Sequence, residues 1–387
     1  MTRISGAWLD NSHTQDVCAM LTGAGFQALF VGGCVRNALF GVDVNDIDLS
    51  TDALPNIVIE LASAAGFHAI PTGVEHGTVT VMAGGIPHEI TTFRKDIETD
   101  GRRAVVAFST DVSDDARRRD FTMNALYALP DGTIIDPLGG MDDLEQRRVR
   151  FIDDAEARIQ EDYLRILRYF RFQAWYGDPA LGMDSEALAA ISANSAGIET
   201  LSKERLGVEM LKLLAADDPA PAVASMRQSG ALAQVVIGAD DRALAPLVHL
   251  EQAFGASHDP IRRLAVLGGQ NVSDALRLSK KNTRLLALLR QGVESIESAA
   301  SLAYRQGADI ALSILLLRSA MLEIPMSAGV FDEIEKGELA TFPVNATDLM
   351  PTYIGAHLGD ELKRLERLWI QSGFSLTKTD LLGRDSD

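Results

Sequence analysis

Two aspartates, Asp46 and Asp48, stand two residues apart in the short stretch Asp46-Ile47-Asp48-Leu49. In a strand, residues at this spacing leave the same face, so the two carboxylates lie side by side. Neighbouring carboxylates repel each other unless a cation lies between them, and Mg2+ typically takes one or two carboxylates together with substrate phosphates. The pair therefore predicts a magnesium site, and a solvated surface pair is the alternative interpretation.

Glu89 is the candidate for a third carboxylate. It lies in the predicted strand His88–Phe93, and two-metal phosphoryl transfer calls for acidic ligands from more than one strand. A solvent-facing glutamate on an ordinary strand explains the same residue equally well.

A glycine pair precedes the aspartates. Gly32-Gly33 ends the predicted strand Ala28–Val31 directly before the predicted helix Val35–Phe40. Bare backbone N–H groups at a helix N-terminus can bind a triphosphate, and Arg36 adds a positive charge in the first turn. The segment lacks the Gly-x-Gly-x-x-Gly pattern, so it does not predict a dinucleotide site.

A second cluster mixes cations with polar acceptors in the segment Arg117–Ala125. Asp120 and Asn124 are four residues apart, which places them on one face of a predicted helix. A carboxylate such as Asp120 accepts hydrogen bonds from ribose hydroxyls, whereas a guanidinium such as that of Arg119 binds phosphate. A charge cluster at a helix N-terminus is the alternative.

A third cluster lies in the predicted helix from Glu161 to Trp175, where Asp162, Arg165 and Arg168 follow at intervals of three. A carboxylate beside a guanidinium offers an acceptor next to a donor. Cytosine and adenine present an amino donor beside a ring-nitrogen acceptor, whereas guanine and uracil present a carbonyl beside an N–H. The pair Asp162 and Arg165 would therefore favour C and A, because mismatched polar groups are costly. An ordinary helical ion pair is the alternative.

Arg277, Lys281 and Arg284 fall at positions i, i+4 and i+7 of a further predicted helix. Cations on one face could contact RNA phosphates. A solvated helix face is the alternative interpretation.

The elements that must position these residues divide the chain into two parts. The first ~145 residues alternate strand-like and helix-like patterns, including a hairpin through Gly84-Gly85 and a helix over Asp111–Ala128. From about Leu144 the strand patterns end and helical periodicity continues to the C-terminus. We therefore predict an α+β protein with an all-helical second part.

The overall composition at first argues against a protein that binds nucleic acid. The 387 residues carry 36 Lys and Arg against 54 Asp and Glu, a net charge of −18, whereas nucleic-acid-binding proteins commonly show basic patches. Residues 94–171 nevertheless hold 14 of the 36 cations, and 13 of these are Arg. With no secretory pattern, no long apolar run and only two cysteines, we expect a cytoplasmic protein without a membrane span.

Over residues 27–175 the chain resembles the class II tRNA nucleotidyltransferase and poly(A) polymerase family, which carries a β-type nucleotidyltransferase head. Four segments occur in the order of that family: Val31–Arg36 with Asp46-Ile47-Asp48, Arg118–Ala125, Asp136–Gly140, and Glu161–Arg168 with Arg171-Phe172.

The resemblance implies a catalytic head over residues 1–145, a helical neck over 146–215 that recognises the base, and a helical body and tail over 216–387 that bind tRNA. It implies Mg2+-dependent addition of C, C and A from CTP and ATP to the tRNA acceptor end, without a template. Asn37 departs from the Asp that usually follows Arg36, and it is given no role.

The implied roles follow the motifs. By the resemblance, Asp46 and Asp48 would bind the metal, and Gly32, Gly33 and Arg36 would bind the triphosphate. Arg119 and Asp120 would bind the ribose. Asp162 and Arg165 would recognise the edge of the base, and Arg168 would lie near the phosphates.

Three rivals remain on sequence alone: a poly(A) polymerase, a non-catalytic RNA-binding protein of the same fold, and a nucleotidyltransferase acting on a small molecule. The long helical second part disfavours the last of these. The segment Pro71–Thr78 lacks the hydrophobic-Gly-basic-basic-Phe pattern typical of poly(A) polymerases. The segment Asp100–Ala104 resembles the flexible loop of complete CCA-adding enzymes. Both features favour CCA addition.

Overall fold

The computed structural model describes residues 2–100 and 103–383. They form an α+β fold, as predicted, with two compact units. The first comprises residues 1–239 and 270–277, and the second comprises 240–269 and 278–387. The predicted domain boundaries after residues 145 and 215 both lie inside the first unit and stay predictions.

All strands of the described residues precede residue 136 and belong to the first unit. They are β1 (Leu29–Val31), β2 (Ile47–Thr51), β3 (His68–Gly73), β4 (Thr78–Ala83), β5 (Ile86–Thr92), β6 (Arg94–Asp100), β7 (Arg103–Phe108), β8 (Tyr127–Ala128) and β9 (Ile134–Ile135).

Seven strands form one sheet in the order β3-β4-β5-β2-β1-β8-β9. Neighbours are antiparallel except β2 and β5, which are parallel and place Asp48 opposite Glu89. The predicted hairpin is confirmed, since β4 and β5 are joined at Gly84 and Gly85 with φ of 58° and 79°. A two-residue turn of this kind needs left-handed backbone, which glycine adopts without a steric penalty.

The helices of the first unit are α1 (Ser12–Gly23), α2 (Gly33–Phe40), α3 (Pro55–Ala64), α4 (Val112–Arg117), α5 (Met141–Glu145), α6 (Ala155–Glu161), α7 (Leu164–Tyr176), α8 (Ser185–Asn194), α9 (Lys203–Leu214), α10 (Ala220–Gln228), α11 (Ala231–Val235) and α14 (Val272–Ala275).

The helices of the second unit are α12 (Leu244–Ala253), α13 (Pro260–Leu267), α15 (Lys280–Glu294), α16 (Ala299–Gln306), α17 (Ala308–Leu322), α18 (Val330–Leu339), α19 (Ala346–Leu349), α20 (Ala356–Gln371) and α21 (Lys378–Leu382).

The predicted helix over Asp111–Ala128 is wrong beyond its first turns. Helix α4 ends at Arg117, a short 3-10 turn covers Thr122–Asn124, and β8 follows as a buried strand paired with β1. Phe121 is extended and fully buried. Burial of Phe121 and pairing of β8 in the sheet outweigh the helical propensity of the segment.

The predicted helix over Glu161–Trp175 is interrupted at Asp162. Helix α6 ends there, because Asp162 has extended backbone with φ −154°. Its Oδ1 accepts a hydrogen bond from the N–H of Leu164 at 3.1 Å, where α7 begins. The aspartate thus binds the first N–H group of α7 from outside that helix, and it does not lie on a helical face with Arg165.

Besides β8, three strands are absent from the sequence prediction: β3, β6 and β7. Strands β6 and β7 form a separate antiparallel pair, with Asp100 opposite Arg103. The segment Asp100–Ala104, which resembles a flexible loop of CCA-adding enzymes, includes residues 101–102, and these two lie outside the described residues.

The predicted basic helical face is also wrong at Arg277. Ser279 caps α15, which begins at Lys280, and Arg277 precedes it with a left-handed φ of 47°. Arg277 instead pairs with Glu204 at 3.3 Å. Lys281 and Arg284 remain together on α15, both exposed.

An aromatic cluster joins the end of the sheet to α7. The ring centroid of Phe121 lies 4.7 Å from that of Phe172 and 5.0 Å from that of Phe151, and Tyr169 stacks on Phe151. Within the described residues, no helix is long and apolar enough to cross a membrane.

We expect Phe121→Ala to lower the free energy of unfolding by about 3–5 kcal/mol, because it removes a buried ring and leaves a cavity. Urea unfolding followed by circular dichroism measures the loss. Leu181→Ala is the control, because Leu181 is 58% exposed. An equal shift in both variants would contradict the role of the aromatic cluster.

Candidate active site

The carboxylates predicted to bind metal line one cavity of about 570 Å3. Asp46 precedes β2 and is exposed, Asp48 lies within β2, and Glu89 lies opposite Asp48 on β5. The structure therefore brings the three acids to one site, with Ser50 and Arg119 in the same wall.

The charge at this site favours a cation. Burial, followed by the nearby charge of Glu89, raises the pKa of Asp48 to about 6, against the opposing effect of Arg119. In the described part of the chain, no group of three or more His, Cys, Asp or Glu side chains could hold a metal ion by itself. Asp46 and Asp48 thus fit a divalent ion that takes its other ligands from substrate phosphates and water.

Gly32 brings the turn before α2 close to the second motif. A Cβ atom at Gly32 would lie 3.3 Å from Nη1 of Arg119 and 3.8 Å from Oδ1 of Asn124. Its φ of 70° is left-handed, which favours glycine at this position. The turn at Gly32 therefore lies against Arg119 and Asn124 of the second predicted cluster.

Arg36 differs from the expectation that it offers a charge to the triphosphate. It is only 6% exposed. Its guanidinium donates to Oδ1 of Asn124 at 2.8 Å and to the hydroxyl of Tyr176 at 2.9 Å, and it lies 4.1 Å from the centre of the Tyr176 ring. Burial lowers its pKa. Arg36 thus acts on Asn124 and Tyr176 within the protein.

A buried carboxylate that the sequence interpretation missed holds Arg119. Asp115 accepts hydrogen bonds from Nη2 of Arg119 at 3.1 Å and from the hydroxyl of Tyr127 at 2.8 Å. Burial acts to lower the pKa of Arg119, but Tyr127 and Asp115 raise it above its ordinary value. The spacing of four residues between Asp115 and Arg119 was the available signal.

Asp120 is buried and bonded to α7. Its Oδ2 accepts from Nε of Arg168 at 2.6 Å, and its Oδ1 accepts from Nδ2 of Asn124 at 3.2 Å. The predicted shared helical face of Asp120 and Asn124 is therefore wrong, and a tight turn after α4 brings the two side chains together instead. Arg168 pairs with Asp120, so its expected place near the phosphates stays a prediction.

Asp162 and Arg165 do not form the helical ion pair that was the alternative interpretation, and their role at the base edge stays a prediction. Asp162 accepts from Nη2 of Arg205 at 2.6 Å. Arg165 pairs with Glu161 and donates to the carbonyl oxygen of Arg158 at 2.8 Å. The break before α7 turns the two side chains towards different partners, and the sequence offered no signal for Arg205.

Comparisons with known proteins give the family. A model of the Poly A polymerase head domain matches residues 28–150, and one described as the probable RNA and SrmB- binding site of polymerase A matches residues 181–240. The mouse protein CCA tRNA nucleotidyltransferase 1, mitochondrial, is 33% identical over 368 residues, which cover 91% of this chain and 84% of the mouse protein. The chain belongs to the CCA tRNA nucleotidyltransferase family.

Other members of the CCA tRNA nucleotidyltransferase family agree with this assignment. The CCA-adding enzyme of Oceanobacillus iheyensis is 42% identical over 199 residues, 51% of this chain and 48% of that protein. The crystal structure of the Bacillus stearothermophilus CCA-adding enzyme in complex with CTP is 26% identical and superimposes with a TM-score of 0.69, covering 97% of both chains.

We expect Asp120→Asn to lower the free energy of unfolding at pH 7 by about 1–3 kcal/mol, because the variant leaves Arg168 without its ionic partner. Burial acts to raise the pKa of Asp120, but Arg168 and Asn124 hold it below its ordinary value. The stabilisation is therefore present above the unfolded pKa of about 3.9 and is lost as pH falls through the folded pKa. Urea unfolding at pH 7 and pH 3 should show a gap between variant and wild type that shrinks in acid. A gap of constant size would contradict the charge pairing.

Proposed function

We propose that this protein adds C, C and A to the 3′ end of tRNA from CTP and ATP, without a nucleic-acid template. The observation that carries the proposal is the match to a named CCA tRNA nucleotidyltransferase over 91% of the chain, together with three acids and Arg119 in one cavity. The same family membership makes the protein a nucleotidyltransferase that uses divalent metal ions, and we propose that the ion is Mg2+.

Asp46 and Asp48 would hold the metal ions, and Glu89 is the proposed third acid. When bound, divalent ions favour deprotonation of the attacking 3′-hydroxyl and stabilise the pyrophosphate that leaves. The hydroxyl attacks the α-phosphate in line, so the new O–P bond forms as the bond to the β-phosphate oxygen breaks.

The remaining residues bind and orient the nucleotide. The backbone N–H groups at Gly32 and Gly33 would bind the triphosphate. Arg119 and Asp120 would serve the ribose, with Asn124 donating to Asp120. Asp162 would accept from the amino group that cytosine and adenine share, whereas the role of Arg165 as donor to the ring nitrogen stays a prediction, because Arg165 is paired with Glu161.

A poly(A) polymerase is the second candidate, because one matching model is named for the head domain of such enzymes. Incubation of the protein with tRNA that lacks its 3′ CCA, and with each nucleoside triphosphate in turn, separates the two. Ordered incorporation of C, C and A supports CCA addition, and long A tails support poly(A) synthesis. No Mg2+-dependent incorporation at all would favour a non-catalytic RNA-binding protein.

The compartment stays a prediction. The cytoplasmic expectation came from the sequence, whereas the mouse relative carries a mitochondrial name.

Asp48→Asn should reduce nucleotide incorporation by about a thousandfold or more, because losing a metal ligand removes several kcal/mol of transition-state stabilisation. Single-turnover incorporation of labelled CTP measures this. Asp43→Asn is the control, since Asp43 is an exposed acid three residues before Asp46. Near-normal activity of Asp48→Asn would overturn the metal assignment.

We predict that Lys281 and Arg284 on helix α15 contact RNA phosphates. The double variant Lys281→Glu and Arg284→Glu should weaken tRNA binding and flatten its salt dependence by about 0.7–0.9 in the log–log slope for each lost phosphate contact. The double variant Lys336→Glu and Lys363→Glu changes the net charge equally at exposed positions of α18 and α20. An unchanged slope in the α15 variant, or the same change in both variants, would remove α15 from the RNA-binding surface.

A further inference from the structure

Both oxygens of the Asp162 carboxylate have assigned donors. Oδ1 accepts from the N–H of Leu164 at 3.1 Å, and Oδ2 accepts from Nη2 of Arg205 at 2.6 Å. A carboxylate oxygen has two lone pairs, so each oxygen can accept one more hydrogen bond. The two donors fix the plane of the carboxylate and leave it free to accept from a ligand.

The position of Arg205 is set by a stronger contact one turn later on the same helix. Glu209 follows Arg205 by four residues on α9 and pairs with Arg171 of α7. The side chains of Arg171 and Glu209 are only 13% and 7% exposed, so this pair fastens α9 to α7. The cap at Ser202, which accepts from the N–H of Arg205, sets where α9 begins. Arg205 is therefore held opposite Asp162 by the packing of two helices.

The contact between Arg205 and Asp162 itself is open to solvent, with side chains 47% and 35% exposed. Exposed ion pairs contribute little to folding stability. This pair is thus easily reached by a ligand, and its loss should leave the fold intact.

We propose that Arg205 is a positioning residue for nucleotide choice. It holds Asp162 as an oriented acceptor for the amino group of cytosine or adenine, and this assignment rests on the proposed function of Asp162 in base recognition. With Arg205 in place, Oδ2 cannot turn away, and the carbonyl oxygen of uracil or guanine meets a carboxylate oxygen. Without Arg205, the carboxylate can rotate and admit a water molecule that donates to that carbonyl, so the wrong bases are rejected less strongly.

The test compares three variants of the full-length protein on tRNA lacking its 3′ CCA. Arg205→Gln removes the charge, Arg205→Lys keeps it, and Lys203→Gln is the matched control. Lys203 lies on the same helix and also makes an exposed ion pair, with Asp274, but it has no hydrogen bond to Asp162. The measurements are kcat and KM for CTP, UTP, ATP and GTP, with urea unfolding as a check of the fold.

We expect Arg205→Gln to lower the ratio of kcat/KM for CTP over UTP, and for ATP over GTP, by tenfold or more. The kcat for CTP should stay within threefold of wild type, Arg205→Lys should restore part of the discrimination, and Lys203→Gln should behave as wild type. Unchanged discrimination in Arg205→Gln, an equal loss for all four nucleotides, or the same loss in Lys203→Gln would overturn the role of Arg205.

The outcomes separate this assignment from the proposed function. A wild-type protein that incorporates C, C and A while Arg205→Gln retains full discrimination overturns only the role of Arg205. A wild-type protein that shows no preference for CTP and ATP overturns the proposed function and the role of Arg205 with it.

Discussion

The buried carboxylate of Asp120 is the constraint on which the site depends. A buried charge is tolerated only when it is paired and hydrogen-bonded. Asp120 meets this condition with Arg168 from α7 and Asn124 from the following turn. Asn124 is in turn held by Arg36 from α2, so satisfying one carboxylate brings three separate segments of the chain together.

Arg36 is a buried cation in the same hydrogen-bond network. Its guanidinium is buried without a carboxylate at hydrogen-bond distance among the contacts described, and it lies against the rings of Tyr176 and Phe172. Aromatic faces attract guanidinium groups even away from water. Arginines of the segment 94–171 are engaged as well, since Arg168 pairs with Asp120 and Arg171 with Glu209. That segment therefore supplies less free positive charge than its composition suggests.

The proposed metal site differs from this network, because its acidic side chains lie next to one another. Asp48 and Glu89 are adjacent on parallel strands, and the pKa of Asp48 is raised by its burial and then by the charge of Glu89, against the opposing effect of Arg119. Here Arg119 compensates the negative charge only in part, as suits a site for divalent ions and phosphates. The paired charges around Asp120 hold segments of the protein together, whereas the carboxylates of Asp46, Asp48 and Glu89 line the proposed metal site.

The sequence by itself determined the local features: the aspartates at a spacing of two, the glycine turn before α2, the hairpin at Gly84-Gly85 and the α+β class. These depend on residue type and short-range periodicity. Only the tertiary structure decided the partners of the charged groups. Arg205 faces Asp162 because α9 packs on α7, Arg36 is buried under Tyr176, and the segment after Arg117 leaves its helix to place β8 beside β1. Such contacts join residues far apart in the chain, and burial and packing choose among partners that the sequence pattern leaves equivalent.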